Sequence, residues 1–114
     1  MYQSVCKLED IFPNSGVAVL LESEQVAVFR VQSSQGEQLF AISNYDPFSK
    51  ANVLSRGIVG SIKNRIVVAS PIYKQHFCLQ TGQCLEDENV KLCVWQVRLE
   101  QDQIALAMNQ AAAA

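Results

Sequence analysis

Two short stretches of this chain set an oxygen-bearing side chain directly before a proline. The first is Asn44-Tyr45-Asp46-Pro47-Phe48, followed by Ser49-Lys50-Ala51. The second is Ser70-Pro71-Ile72-Tyr73-Lys74-Gln75-His76-Phe77, followed by Thr81-Gly82. Together they present a carboxylate, a hydroxyl, a phenyl ring and a phenol. Ser70 is a hard, weakly acidic oxygen, and Phe48 has no lone pair to give a metal. The chain has a single histidine, His76. His76 and Cys78 share one face of a strand, but two ligands are too few for a stable site. The four cysteines, at 6, 78, 84 and 93, include no C-x-x-C pair, so no zinc knuckle or dithiol redox site is set up. Cys78 and Cys93 fall in strand-like runs and read as small buried hydrophobes. No Ser-His-Asp arrangement is suggested, since the histidine has no readable partner. Arg56-Gly57-Ile58-Val59-Gly60 lacks the spacing and context of a phosphate loop.

The two blocks resemble the ligand loops of Rieske domains. Those domains hold a 2Fe–2S centre with two Cys on one iron and two His on the other. Their loops read C-P-H and C-P-x-H, the second followed by a short strand and a T-G turn. This chain is similar, with D-P-F and S-P-I-Y in those places. By that correspondence Asp46 and Ser70 take the thiolate positions, and Phe48 and Tyr73 the imidazole positions. A narrower family resembles it more closely. Asp46 to Gly60 and Val68 to Phe77 look like the signature of the small subunit of assimilatory NAD(P)H-dependent nitrite reductase. The resemblance runs from about Val5 to about Leu106. It implies a Rieske-like fold without the cluster ligands. It also implies a large-subunit partner that carries FAD, an iron–sulfur cluster and sirohaem, and that reduces nitrite to ammonium with NAD(P)H.

Length and composition agree with a single domain over residues 1–110, with 111–114 as a tail outside it. The chain is 49% apolar and 18% charged, as in ordinary globular proteins. The net charge of −2 speaks against nucleic acid as a partner. No run approaches the ~18 apolar residues of a membrane span. The N-terminus lacks the apolar core of a signal peptide, so the expected location is the cytoplasm.

Strand signals must supply the frame for both loops. Val17 to Leu21 and Gln25 to Val31 flank a Glu22-Ser23-Glu24 turn and read as a hairpin. The second of these alternates as a half-buried strand should. Ser33 to Gly36 turns the chain again, and Leu39 to Ser43 leads into the first loop. Arg65 to Ser70 enters the second loop, and Gln75 to Leu79 leaves it. Val90 to Leu99 alternates, with Trp95 as a packing residue, and Ile104 to Ala107 closes the fold. The expected class is all-β: an antiparallel β-sandwich or partly open barrel. At most one short helix is expected, near residues 50–56, capped by Ser49 and ended by a left-handed Gly57.

Without a cluster, something else must hold the loops together. The expectation is a substitute core, with Phe48 and Tyr73 packed where the cluster would sit. Pro47 and Pro71 would stiffen the turns, and Asp46 or Ser70 would cap exposed amides. The loop tips then become a docking face, with Lys50, Asn52, Leu54, Arg56, Lys74 and Gln75 as candidate contacts. The function implied is a non-catalytic accessory subunit, with no cofactor in this chain. The rivals are a Rieske-type electron carrier with unusual ligands and a free-standing β-sandwich interaction module.

Overall fold

The computed structural model describes residues 1–108. The tail 111–114 and the last two residues of the expected domain lie outside the described residues. Twelve strands follow one another: β1 Tyr2–Lys7, β2 Ser15–Leu21, β3 Glu24–Ser33, β4 Gly36–Ser43, β5 Tyr45–Asp46, β6 Ala51–Asn52, β7 Ile58–Ile62, β8 Arg65–Ala69, β9 His76–Cys78, β10 Val94–Trp95, β11 Val97–Glu100 and β12 Gln103–Ala107. They form an all-β, antiparallel, Rieske-like architecture with no closed barrel. The sheets have strand orders β1-β12-β11, β10-β4-β3-β2, β5-β6 and β7-β8-β9.

The four-stranded sheet is the middle layer. Ala27, Phe29 and Val31 of β3 face one core with Val68, Phe77 and Leu79. Val26 and Val28 face a second core with Trp95, Ile104 and Leu106. The alternation in β3 therefore does not separate core from solvent, as the half-buried reading expected. It separates two cores, and the run is apolar because both faces are covered. The same holds after Lys91. Leu92 and Val94 join the first core, while Cys93 and Trp95 join the second. The expected single strand from Val90 to Leu99 is broken at Gln96, and its two halves belong to different sheets.

Three hairpins turn on residue pairs with successive left-handed φ: Glu22-Ser23, Lys63-Asn64 and Gln101-Asp102. This geometry matches the twist of the flanking strands. The Glu22–Glu24 turn lies where the sequence reading put it. Strands β1 and β7 carried no sequence expectation. β7 pairs with β8 from Ile58↔Ala69 to Ile62↔Arg65 and so builds the edge beside the second loop.

The expected helix near residues 50–56 is absent. Lys50 has φ 60°, which no right-handed helix accepts. The chain forms β6 next, then a 3-10 turn at Leu54–Arg56. Gly57 has φ −75°, so it is not a left-handed terminator. Its lack of a side chain serves packing instead, since a Cβ there would lie 2.3 Å from the Ala69 carbonyl oxygen.

Gly82 has a stronger constraint. Its φ is +84°, and a Cβ would meet the Leu92 carbonyl oxygen at 2.1 Å. Gly82→Ala should therefore cost about 3 kcal/mol of stability. Gly36 has φ +99° but open space around it, so Gly36→Ala should cost only about 1 kcal/mol. Urea unfolding of both variants measures the difference; equal midpoints would reject the steric role of Gly82.

Candidate functional site

The two proline loops are built on one plan. In the first, the Lys50 amide donates to the Asp46 carbonyl at 2.7 Å. In the second, the Lys74 amide donates to the Ser70 carbonyl at 3.1 Å. In each, the leading side chain accepts from the amide two residues on. Phe48 N donates to Asp46 Oδ1 at 2.9 Å, and Ile72 N donates to Ser70 Oγ at 3.3 Å. Each loop ends on a lysine with left-handed backbone, φ 60° at Lys50 and 70° at Lys74. Proline at the second position fixes φ and starts the turn at little entropic cost.

The loops meet at their first residues. Ser70 Oγ donates to Asp46 Oδ2 at 2.5 Å, and Ser49 Oγ donates to the same oxygen at 2.9 Å. Asp46 and Ser70 are both fully buried. Burial alone would push the Asp46 carboxyl up. The Ser70 hydroxyl, the Phe48 amide, and the Ser49 hydroxyl and amide outweigh it and hold the group below the ordinary aspartate value. Asp46 is thus a buried anion whose hydrogen bonds come from both loops.

Asn44 anchors the first loop from behind, a role the sequence reading did not give it. Its side-chain oxygen accepts from the Ser55 amide at 2.7 Å, and its side-chain nitrogen donates to Gln25 Oε1 at 3.0 Å. Its amide also donates to the Gln25 carbonyl. The available signal was an Asn between a strand and a turn-forming proline. Glu86 does similar work for the second loop. It accepts from the His76 amide at 2.7 Å and lies 2.6 Å from His76 Nδ1. Burial would raise the Glu86 carboxyl, but the His76 amide and ring hold it lower.

Phe48 packs inward, as expected, on the first core, with its ring centroid 6.3 Å from that of Phe77. Tyr73 does not. It is 61% exposed, so the substitute core is not an aromatic pair. In the second loop Ser70 is spent on the buried contact, and the following residues Pro71 to Lys74 all face outward. Among the candidate contacts, Lys50, Asn52, Arg56 and Lys74 are exposed, and Gln75 is half-buried. Leu54 is fully buried in the first core and is withdrawn as a docking residue. Its 3-10 turn points the apolar side chain inward because Asn44 accepts the Leu54 amide. The four cysteines are free, with Cys78 and Cys84 buried. Among the described residues, no group of three or more His, Cys, Asp or Glu side chains is placed to hold a metal. No helix there is long and apolar enough to cross a membrane.

A family model for the Rieske-like [2Fe-2S] domain matches residues 1–107. The NADH nitrite reductase small subunit of Salmonella typhimurium is 44% identical, over 92% of this chain and 95% of its own length. The chain belongs to this Rieske-like family of nitrite reductase small subunits. The solution structure of NirD from Escherichia coli superposes with a TM-score of 0.83 at 41% identity, covering 99% of this chain and 100% of that one. One match has a different architecture. In the NAD(P)H nitrite reductase large subunit of Klebsiella oxytoca, 96% of this chain matches 11% of that protein, at 33% identity.

For a small subunit of this family, the residues present do not fit a 2Fe–2S cluster. Asp46 and Ser70, which the sequence resemblance sets at the thiolate positions, are joined directly by a 2.5 Å hydrogen bond. Of the two residues that the same resemblance sets at imidazole positions, Phe48 is a phenyl ring packed against the first core. The other is an exposed phenol. The bond between Asp46 and Ser70 links the two loops directly.

A double-mutant cycle measures that link. Coupling between Asp46→Ala and Ser70→Ala should be about 1.5–3 kcal/mol, as for a hydrogen bond to a charged acceptor. Coupling near zero would reject it. Phe48→Ala should also lower the melting temperature, by the roughly 3–5 kcal/mol of a core Phe truncation scaled down for its partial exposure. The pH dependence has a defined sign. A carboxyl depressed on folding stabilises fully above its unfolded pKa of about 3.9. That contribution is lost as pH falls through the lower folded value. Wild type should therefore lose more stability on acidification than Asp46→Asn, in chemical denaturation followed below about pH 4. Parallel profiles would count against the ionised network.

Proposed function

We propose that this chain is the accessory small subunit of a cytoplasmic, assimilatory NAD(P)H-dependent nitrite reductase, and that it docks on a large subunit that reduces nitrite to ammonium. The family resemblance assigns FAD, an iron–sulfur cluster and sirohaem to that large subunit. This chain supplies neither electrons nor ligands to the reaction. Its contribution is to hold or position parts of the partner through the stapled loops, with Lys50, Asn52, Arg56, Lys74 and Gln75 as the contact candidates.

The observation that carries this reading is the match to the Klebsiella oxytoca large subunit. A domain of this kind stands there within a polypeptide about nine times longer, since it makes up 11% of that protein. A unit that is covalently joined in one system has to find its partner by surface contact when it is a separate chain. Tethering supplies effective concentration, and a separate subunit must replace it with affinity.

The test is co-expression of the large subunit with and without this chain, with sirohaem content and nitrite turnover as readouts. At least one should fall when the chain is omitted. Equal sirohaem content and equal turnover would overturn the accessory role.

A further inference from the structure

The charges of this chain are divided by position. Between Glu37 and Glu86 lie Lys50, Arg56, Lys63, Arg65 and Lys74, five of the nine cationic residues. The same stretch has one carboxylate among eleven, Asp46. All five cations are exposed, and none forms an ion pair among the described residues. Asp46 is buried and its charge is engaged by the loops. The tips of the two loops therefore present the unpaired cations Lys50 and Lys74, whereas Lys63 and Arg65 share a cavity with Glu86 and Glu88.

Apolar side chains stand among the cations nearest the loops. Tyr73 is 61% and Ile58 73% exposed, and Tyr45 and Ile72 are exposed too. Ile58 pairs across β8 with Ala69, the residue before Ser70, so it stands beside the second loop. Lys50 and Lys74 end the two stapled turns, each with its backbone closed by a hydrogen bond to the turn's first carbonyl. An apolar centre with a charged rim is the anatomy of a protein–protein contact.

We infer that this face seats on a carboxylate-rimmed, apolar-centred surface of the large subunit, with Lys50 and Lys74 as its two cationic contacts. The inference rests on the accessory-subunit reading above and adds the chemistry of the partner's surface. Charge complementarity selects the occupant. An acidic protein surface satisfies the exposed lysines, and its apolar centre covers Ile58, Ile72 and Tyr73. A second copy of this chain could not meet the loop tips with its own, which carry like charge, and would have to bring another, acidic part of its surface to them. That contact is head-to-tail and leaves each assembly with an open end.

The backbone permits a clean test. Lys50 and Lys74 occupy left-handed positions where glycine is the less strained residue. Lys50→Gly and Lys74→Gly therefore remove charge while keeping or raising the melting temperature, which is checked first. Binding of each full-length variant to purified large subunit is then measured by titration calorimetry. Each single change should weaken binding about threefold to tenfold, and the double change about thirtyfold. Lys50→Glu with Lys74→Glu should weaken it about a hundredfold or more. Ile58→Ser and Tyr73→Ser should weaken it at any salt concentration. Lys91→Gly, in the acidic part of the chain, should leave it unchanged. Added salt should weaken wild type more than the double glycine variant. Wild-type binding that ignores both lysines would overturn this inference while leaving the accessory role standing. No wild-type binding would overturn the accessory role itself. Sedimentation of the chain alone adds one outcome: head-to-tail polymers lost in the lysine variants would assign the loop tips to a second copy instead.

Discussion

A buried hydrogen bond from the Ser70 hydroxyl to the Asp46 carboxylate is the contact on which both loops rest. Each loop leaves a sheet, turns on a proline and returns within a few residues, so neither buries much of its own surface. Excluded from water, an unpaired carboxylate would be costly. Asp46 avoids that cost only because donors come to it from both loops. The arrangement is therefore conditional in both directions. The loops hold the charge in an ionised, satisfied state, and the charge holds the loops in register. A metal centre would link the same two positions by coordination. The Ser70 hydroxyl links them by donating to the Asp46 carboxylate at 2.5 Å, which leaves no space for a metal between the two oxygens.

The link also explains why the remaining loop residues point as they do. Once Asp46 and Ser70 turn inward, the turns beyond them are anchored at the base and their tips project. Phe48 is the exception, because the first core offers it a place against Phe77. In the second loop, Tyr73 is left in solvent. Polar anchoring and outward tips thus follow from one choice of residue at each loop's first position.

Much of the frame was legible in the sequence, and the failures share a cause. The β2–β3 hairpin and the strands entering and leaving both loops follow from apolar runs and turn residues, which are local signals. The two loops stood out because proline follows a polar residue in each. What could not be read was decided by tertiary contacts. A helix from Lys50 had a capping serine and a terminal glycine in its favour, but the Lys50 amide closes on Asp46 and fixes the wrong hand for it. Leu54 looked free for docking because nothing local shows that Asn44 draws its turn over the core. The alternation of β3 was correct as a period and wrong as a meaning, since a second sheet covers the face assigned to solvent. Asn44 and Glu86 work through partners eleven and ten residues away, beyond any local pattern.

Net charge was the least informative number in the chain. A value of −2 suggests an evenly mild acidic surface, yet Arg30 and Arg98 are paired with Glu37 and Glu100 while Lys50 and Lys74 at the loop tips are exposed and unpaired among the described residues. Burying Asp46 adds to this, because it withdraws from the surface of the first loop the one carboxylate in that loop's sequence. Unpaired cations gathered at one face steer that face toward a negative surface before contact. Docking a single face is a severe orientational demand on a separate subunit, which lacks the tether of a fused domain. The same carboxylate that fastens the loops is therefore kept off their exposed ends, which carry Lys50 and Lys74. In this fold, the structural role of Asp46 and the charge of the proposed docking face are linked through one buried carboxylate.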